Sequence, residues 1–231
     1  MKLSVIIPVY NEAGTILNVI DQVRRCGVPD LEILVVDDCS TDGTTSLLQS
    51  LPPSPDLRIF THERNMGKGA GIRTAQAHIT GEAVIIQDAD LEYSPSEFPR
   101  MLSLIAENKA DAVFGSRYSG NVILVDTFVH YMGNRMLTNF SNLCSNLHLT
   151  DMETCYKMVR SSLFRQFHLE CSRFGFEPEV TAKLARLRAR IYEIPIAYTA
   201  RPYEAGKKIG WKDGVAALWY ILKYNLFTRK I

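Results

Sequence analysis

AVIIQDADLE, residues 83–92, is the stretch on which the reading of this chain turns. A short apolar run leads directly into Asp88 and Asp90, with Ala89 between them. Two carboxylates at a strand end repel one another unless a cation sits beside them. Magnesium and manganese typically take one or two carboxylates together with substrate phosphates. An isolated Asp-x-Asp is equally an ordinary solvated turn, because aspartate favours turns. The rest of the chain decides between the two.

Working outward, the first half alternates strand and helix patterns. LSVIIPV (3–9), LEILVV (31–36), LRIFTH (57–62), AVIIQ (83–87) and DAVFGS (111–116) read as strands. Helices are expected over Ala13–Cys26, ended by a left-handed turn at Gly27, then over Thr44–Ser50 and Ala70–Ile79. Ser94-Pro95-Ser96-Glu97 predicts a capping box with proline at the first helical position. Apolar strands alternating with helices imply a mostly parallel sheet covered on both faces. Such sheets carry their sites beyond the carboxyl ends of the strands. Here those ends read YNE (10–12), DDCSTD (37–42), DADLE (88–92) and GSR (115–117), so polar groups collect along one edge. The second half is less regular, with helices expected over Asp126–Leu147 and Pro178–Arg190 and a strand over 192–198.

The totals fit a globular α/β protein. The 231 residues suffice for one large domain or two small ones; 46% are hydrophobic and 22% charged. A net charge of +1 supplies no global field for nucleic acid. Five scattered cysteines without a Cys-x-x-Cys pair argue for a reducing compartment and against a zinc site. The chain opens on a strand rather than a leader, and no run reaches the roughly 18 apolar residues of a spanning helix. A cytoplasmic location, peripheral on a membrane face, is expected.

Taken together, IIPVYNE, VVDDCSTDGT, RNMGKGAGIRTA, QDADLE and GSR resemble, in order and spacing, the family 2 glycosyltransferases of the GT-A fold. DMETCYK, GFEPEVTAKLAR, IPIAYTAR and GKKIGWKDG look like the branch that contains dolichyl-phosphate mannose synthase and related polyprenyl-phosphate glycosyltransferases. The resemblance implies one GT-A domain over 1–231, a Rossmann-like, mostly parallel sheet. Residues 1–120 would form the nucleotide-sugar half and 121–231 the acceptor half. It implies donor contacts at Pro8, Tyr10, Glu12, Val36, Asp37, Asp38, Asp88, Ala89, Arg201 and Lys208, with Lys207 adjacent. Asp88 and Asp90 would hold Mg2+ or Mn2+. Glu92 stands where relatives often have a glutamine ligand. Arg117 follows the Gly-Ser pair as the family's arginine does.

The chemistry follows from charge. The donor, GDP-mannose or a UDP-hexose, departs as a nucleoside diphosphate, and a metal offsets the charge that develops there. A hydroxyl acceptor needs a general base. A phosphate monoester is already anionic near neutrality, so a polyprenyl phosphate needs cations instead. Arg117 and Arg135 are the candidates, with Asp90 and Arg117 the expected catalytic pair. The resemblance implies direct displacement with inversion.

Three other functions compete with this one. Transfer to a hydroxyl acceptor would draw on Glu179 or Asp151 as base. A nicotinamide-dependent oxidoreductase could use Gly67-Lys68-Gly69-Ala70-Gly71, but the spacing is G-x-G-x-G and it follows the third strand. A non-catalytic binding module is disfavoured by the intact DAD. The tail 201–231 has seven basic residues against two acidic, and VAALWYILKYNLF (215–227) is apolar, flanked by Lys212, Arg229 and Lys230. As a helix it reaches only about 20 Å, too short to span. It either packs on the sheet or meets a membrane surface or membrane subunit.

Overall fold

A computed structural model describes residues 1–120, 123–125, 127–172, 175–200, 211–228 and 230–231, with backbone alone at 211–213. Seven strands form one sheet: β1 (Leu3–Val9), β2 (Leu31–Asp37), β3 (Leu57–Thr61), β4 (Ala83–Ile86), β5 (Ala112–Ser116), β6 (Lys157–Arg160) and β7 (Ile191–Pro195). Their order is β3-β2-β1-β4-β6-β5-β7. Leu3, Val5, Ile6 and Ile7 of β1, Ile33 to Val36 of β2 and Ala83 to Ile85 of β4 are fully buried. That is the continuous apolar pattern of strands covered on both faces. Each such valine, leucine or isoleucine contributes roughly 1.5–3 kcal/mol on burial.

The helices are α1 (Ile16–Arg24), α2 (Thr44–Gln49), α3 (Lys68–Gln76), α4 (Phe98–Ala106), α5 (Phe128–Ser145), α6 (Ser161–Phe164), α7 (Phe176–Arg186) and α8 (Trp211–Leu222). A wide π-type turn, Lys223–Phe227, extends α8. Expected helices recur with shifted ends. α1 begins at Ile16 rather than Ala13, because the Thr15 hydroxyl and amide bond back to Glu12 and spend residues 12–15 on a turn. Gly27 takes the expected left-handed conformation, φ 89°. At Ser94 the capping box is half made. Ser94 Oγ accepts from the Ser96 amide, while the Glu97 carboxylate accepts from Ala197 beyond β7.

One strand escaped the sequence pattern. β6 inserts antiparallel between β4 and β5, whereas the other neighbours pair in parallel. Its first residue, Lys157, is a charge at a core position. The ammonium folds back onto the carbonyls of Met152 (2.7 Å) and Thr154 (2.5 Å) and lies 4.9 Å from the Phe114 ring centroid. A four-residue strand that begins on a buried lysine has no apolar signature to read.

The tail helix packs on helices rather than on the sheet. Ala217 and Ile221 of α8 form a satellite core with Leu137 of α5 and Met152, and Tyr224 joins Cys171 and Ala182 of α7. Among the described residues no helix is long and apolar enough to cross a membrane.

Candidate active site

The carboxyl ends of β1, β2, β4 and β5 do form one polar edge, but their side chains divide sharply in what they are free to do. Asp37 is fully buried and accepts from the hydroxyls of Ser40 (2.6 Å) and Thr45 (2.5 Å). Asp38, also buried, accepts from the amides of Met66 (2.8 Å) and Gly67 (2.7 Å), and its Oδ1 lies 2.8 Å from His62 Nδ1. Of these two carboxylates, expected at base and ribose, Asp37 therefore ties the loop after β2 to the start of α2, and Asp38 ties the end of β2 to the start of α3. Pro8 and Val36 underlie α3: a side chain at Gly71 would rest on them at 3.5 and 3.6 Å. Tyr10 is exposed at the edge, and Glu12 accepts from the Thr15 hydroxyl.

The reason for the glycines of 67–71 lies in the same place. A Cβ on Gly69 would sit within 2.1 Å of the Cys171 carbonyl oxygen, and the Gly69 amide donates to Ser172 O at 3.0 Å. The chain's own backbone fills the notch that a dinucleotide's pyrophosphate would need, which removes the oxidoreductase alternative.

Asp88 and Asp90 stand at the end of β4 around buried Ala89. The Asp88 side chain is 23% exposed. Its Oδ1 receives an ion pair from Lys68 Nζ at 2.9 Å, and the same ammonium lies 2.9 Å from Glu177 Oε1 and 3.7 Å from Cys155 Sγ. Burial works hardest against the Lys68 charge, but Asp88, Cys155 and Glu177 outweigh it and hold the ammonium well above the ordinary lysine range. Asp90 Oδ1 accepts the Glu92 amide at 3.2 Å, with Leu91 between them at φ 63°. The three-carboxylate set of Asp88, Asp90 and Glu92 does not assemble. Glu92 Oε2 takes the Tyr198 hydroxyl at 2.7 Å, and among the described residues no three His, Cys, Asp or Glu side chains are grouped so that they could hold a metal ion by themselves. Two hard oxygen donors at a partly open edge still suit Mg2+ or Mn2+, ions that complete their shells with phosphate oxygens and water.

Arg117, expected to stand ready for a phosphate, is already paired. Its Nε and Nη2 grip Asp151 at 2.7 and 2.8 Å, and its own amide donates to Asp151 Oδ2 at 3.0 Å. Asp151 is fully buried and also accepts from Asn134 at 3.1 Å. Burial is the largest influence on the Asp151 carboxyl and pushes it up. The Arg117 charge and hydrogen bonds more than reverse that, leaving it below the usual range. The guanidinium lies between the Tyr118 and Tyr198 rings, 5.7 and 5.3 Å from their centroids. Asp151 is thus no general base. Glu179, the other candidate, is fully buried and clamps the amides of Glu170 (2.7 Å) and Cys171 (2.9 Å). Arg135 is exposed on α5, one residue beyond Asn134. Arg201, Lys207 and Lys208 lie outside the described residues, as does Arg229.

Residues the sequence did not single out complete the site. Lys68 and Glu177 lay inside quoted motifs, but only the fold brings residues 109 apart in sequence to one carboxylate cluster. Glu153 is another. Its Oε1 is buried with no hydrogen-bond partner among the described residues, and its carboxyl is pushed up to about 7, first by burial and then by Glu177.

This sheet and polar edge are those of a GT-A glycosyltransferase, and the chain belongs to glycosyltransferase family 2, whose family model matches residues 4–167. Among curated proteins it is 29% identical to an undecaprenyl-phosphate mannosyltransferase of Micrococcus luteus, over 99% of this chain and 96% of that one. It is 28% identical to glycosyltransferase AglJ of Haloferax volcanii, over 86% of this chain and 63% of that protein's length. Among solved structures, glucosyl-3-phosphoglycerate synthase from Mycobacterium tuberculosis, in complex with Mn2+, UDP and phosphoglyceric acid, superposes with a TM-score of 0.71. That match has 18% identity and covers 98% of this chain and 79% of the other.

Proposed function

We propose that this chain transfers a hexosyl group, with inversion, from GDP-mannose or a UDP-hexose to a polyprenyl phosphate, assisted by Mg2+ or Mn2+ at Asp88 and Asp90. The observation that carries the acceptor class is the state of the two candidate bases. Asp151 is locked to Arg117 and Glu179 to the 170–171 backbone, so neither can take a proton from a hydroxyl. A phosphate monoester requires none. The sequence likeness to an undecaprenyl-phosphate mannosyltransferase along nearly the whole chain supports the same choice.

Bound at Asp88 and Asp90, the ion supplies positive charge against the departing diphosphate. Asp88 is paired with the Lys68 ammonium, which the arriving ion would displace, and Asp90 is held by the tight turn to Glu92. Tyr10 and Glu12 border the donor edge. Arg117 shares its charge with Asp151, so its part is to position the cleft it lines with Tyr118, Leu124 and Tyr198. Arg135, Arg201 and Lys208 supply the net positive charge for donor and acceptor phosphates.

The test is a melting-temperature panel of GDP-mannose, UDP-glucose and UDP-N-acetylglucosamine, with Mn2+ and with EDTA, followed by transfer assays with undecaprenyl phosphate and with a neutral prenol. One donor should raise Tm only with Mn2+, and only the phosphorylated lipid should accept the sugar. Equal transfer to the prenol would overturn the acceptor assignment. A shift unchanged by EDTA would overturn the metal.

A further inference from the structure

α5 is amphipathic the wrong way round. At about 100° per residue, positions 128, 129, 132, 136 and 143 fall on one arc of the helix. That arc faces outward: Phe128 is 75% exposed, Val129 77%, Met132 45%, Met136 54% and Leu143 80%. The opposite arc, which is buried, carries Leu137 together with the hydroxyls of Thr138 and Ser141. Those inward polar groups are satisfied internally. Thr138 donates to Asn134 and accepts the Met152 amide, and Asn134 donates to Asp151. Arg135 and Asn139 are exposed on the same side, but a helix with five large apolar side chains on its outward arc and hydroxyls on its inward arc is not built for water on that side.

The surroundings say what covers it. α5 contains no Asp or Glu; its one full charge, Arg135, is exposed. Its packed neighbour α8 also presents an apolar outer face, with Val215 and Trp219 more than half exposed, followed by Leu226 and Phe227 in the turn beyond. Residues 211–231 add four basic residues against one acidic. Apolar side chains, an exposed tryptophan and a positive excess are the composition of a surface that lies in the headgroup layer of an anionic bilayer. The arc is also continuous with the site. Leu124, just before α5, is exposed and lines the cleft with Arg117, Tyr118 and Tyr198.

We infer that the outer arc of α5 docks the protein on an anionic lipid bilayer and sets the cleft at Arg117 level with a phosphate held at that surface. The tail helix buttresses this surface from α5's side and is not the sole contact. The inference rests on the lipid-phosphate reading above, and the experiment separates the two.

The full chain is sedimented with phosphatidylcholine vesicles and with phosphatidylcholine–phosphatidylglycerol vesicles, as wild type and as Phe128→Gln/Val129→Gln/Met132→Gln. Wild type should bind the anionic vesicles, and the triple variant should bind at least about tenfold more weakly. Its Tm should not fall, because these side chains bury little within the chain. The variant should keep transfer to a water-soluble short-chain prenyl phosphate and lose it to undecaprenyl phosphate in vesicles. Equal vesicle binding by the variant, or a lower Tm, overturns the inference. So does a wild-type dimer that the variant dissolves without any vesicle binding, which would make the arc a contact between copies. Wild type that uses undecaprenyl phosphate yet ignores vesicles refutes the docking surface alone. Vesicle binding with no use of either lipid phosphate refutes the acceptor alone.

Discussion

Two half-buried cations sit on carboxylates along the same sheet edge, and they are built differently. Arg117 meets Asp151 through two side-chain bonds and its own amide, and the Asp151 amide is in turn held by Glu193 Oε1 at 3.2 Å. A planar fork on a fully buried carboxylate is committed to one geometry. Lys68 is a point charge shared among Asp88, Glu177 and Cys155, and Asp88 keeps part of its surface open. An ammonium on a flexible stem can be re-partnered when another cation arrives. The first pair is scaffold for the site, and the second is where the charge balance can change.

The difference is most sharply tested at the closed pair. Asp151→Ala removes a fully buried carboxylate and leaves the half-buried Arg117 guanidinium without its counter-charge, and should lower unfolding free energy by about 3 kcal/mol in urea titration. A loss under about 1 kcal/mol would make the two clusters alike. Glu153 comes next, because its carboxyl feels Glu177 from one cluster and Arg117 and Asp151 from the other. The folded protein binds this proton more tightly than the unfolded chain. Its stability contribution is therefore complete below pH 4.5 and is lost as pH rises towards about 7. The swing is about 3 kcal/mol, and Glu153→Gln should flatten stability across that window. Identical pH profiles for wild type and variant would show that the carboxyl is not protonated at neutrality.

At the open cluster the readout is turnover rather than stability. Asp88→Ala or Asp90→Ala should reduce transfer about 100-fold or more while Tm changes little. Full turnover, or full activity in excess EDTA, would remove the metal from Asp88 and Asp90. The smallest effect is at Lys68. If its ammonium competes with a divalent ion for Asp88, Lys68→Met should tighten Mn2+ binding about tenfold, by roughly 1.4 kcal/mol, read by titration calorimetry without substrate. Weaker Mn2+ binding would mean that Lys68 positions Asp88 and does not compete for it.

Much of this is legible in the amino-acid sequence. Four apolar runs ending on YNE, DDCSTD, DADLE and GSR determined a parallel sheet with its polar edge, because strands buried on both faces have an unmistakable composition. The family motifs determined the class of enzyme. What the tertiary structure alone decided is which polar residues are spent holding the edge together. Asp37, Asp38, Asp151 and Glu179 carry charges that suggest chemistry, and all four are buried in hydrogen bonds to neighbouring loops. The antiparallel strand that starts on Lys157, the Lys68–Glu177 contact and the outward apolar arc of α5 were equally out of reach. Each depends on partners far away in sequence or on which side of a helix meets the core. Local composition records what a residue is, and packing against distant residues decides whether its charge or its apolar surface is already satisfied.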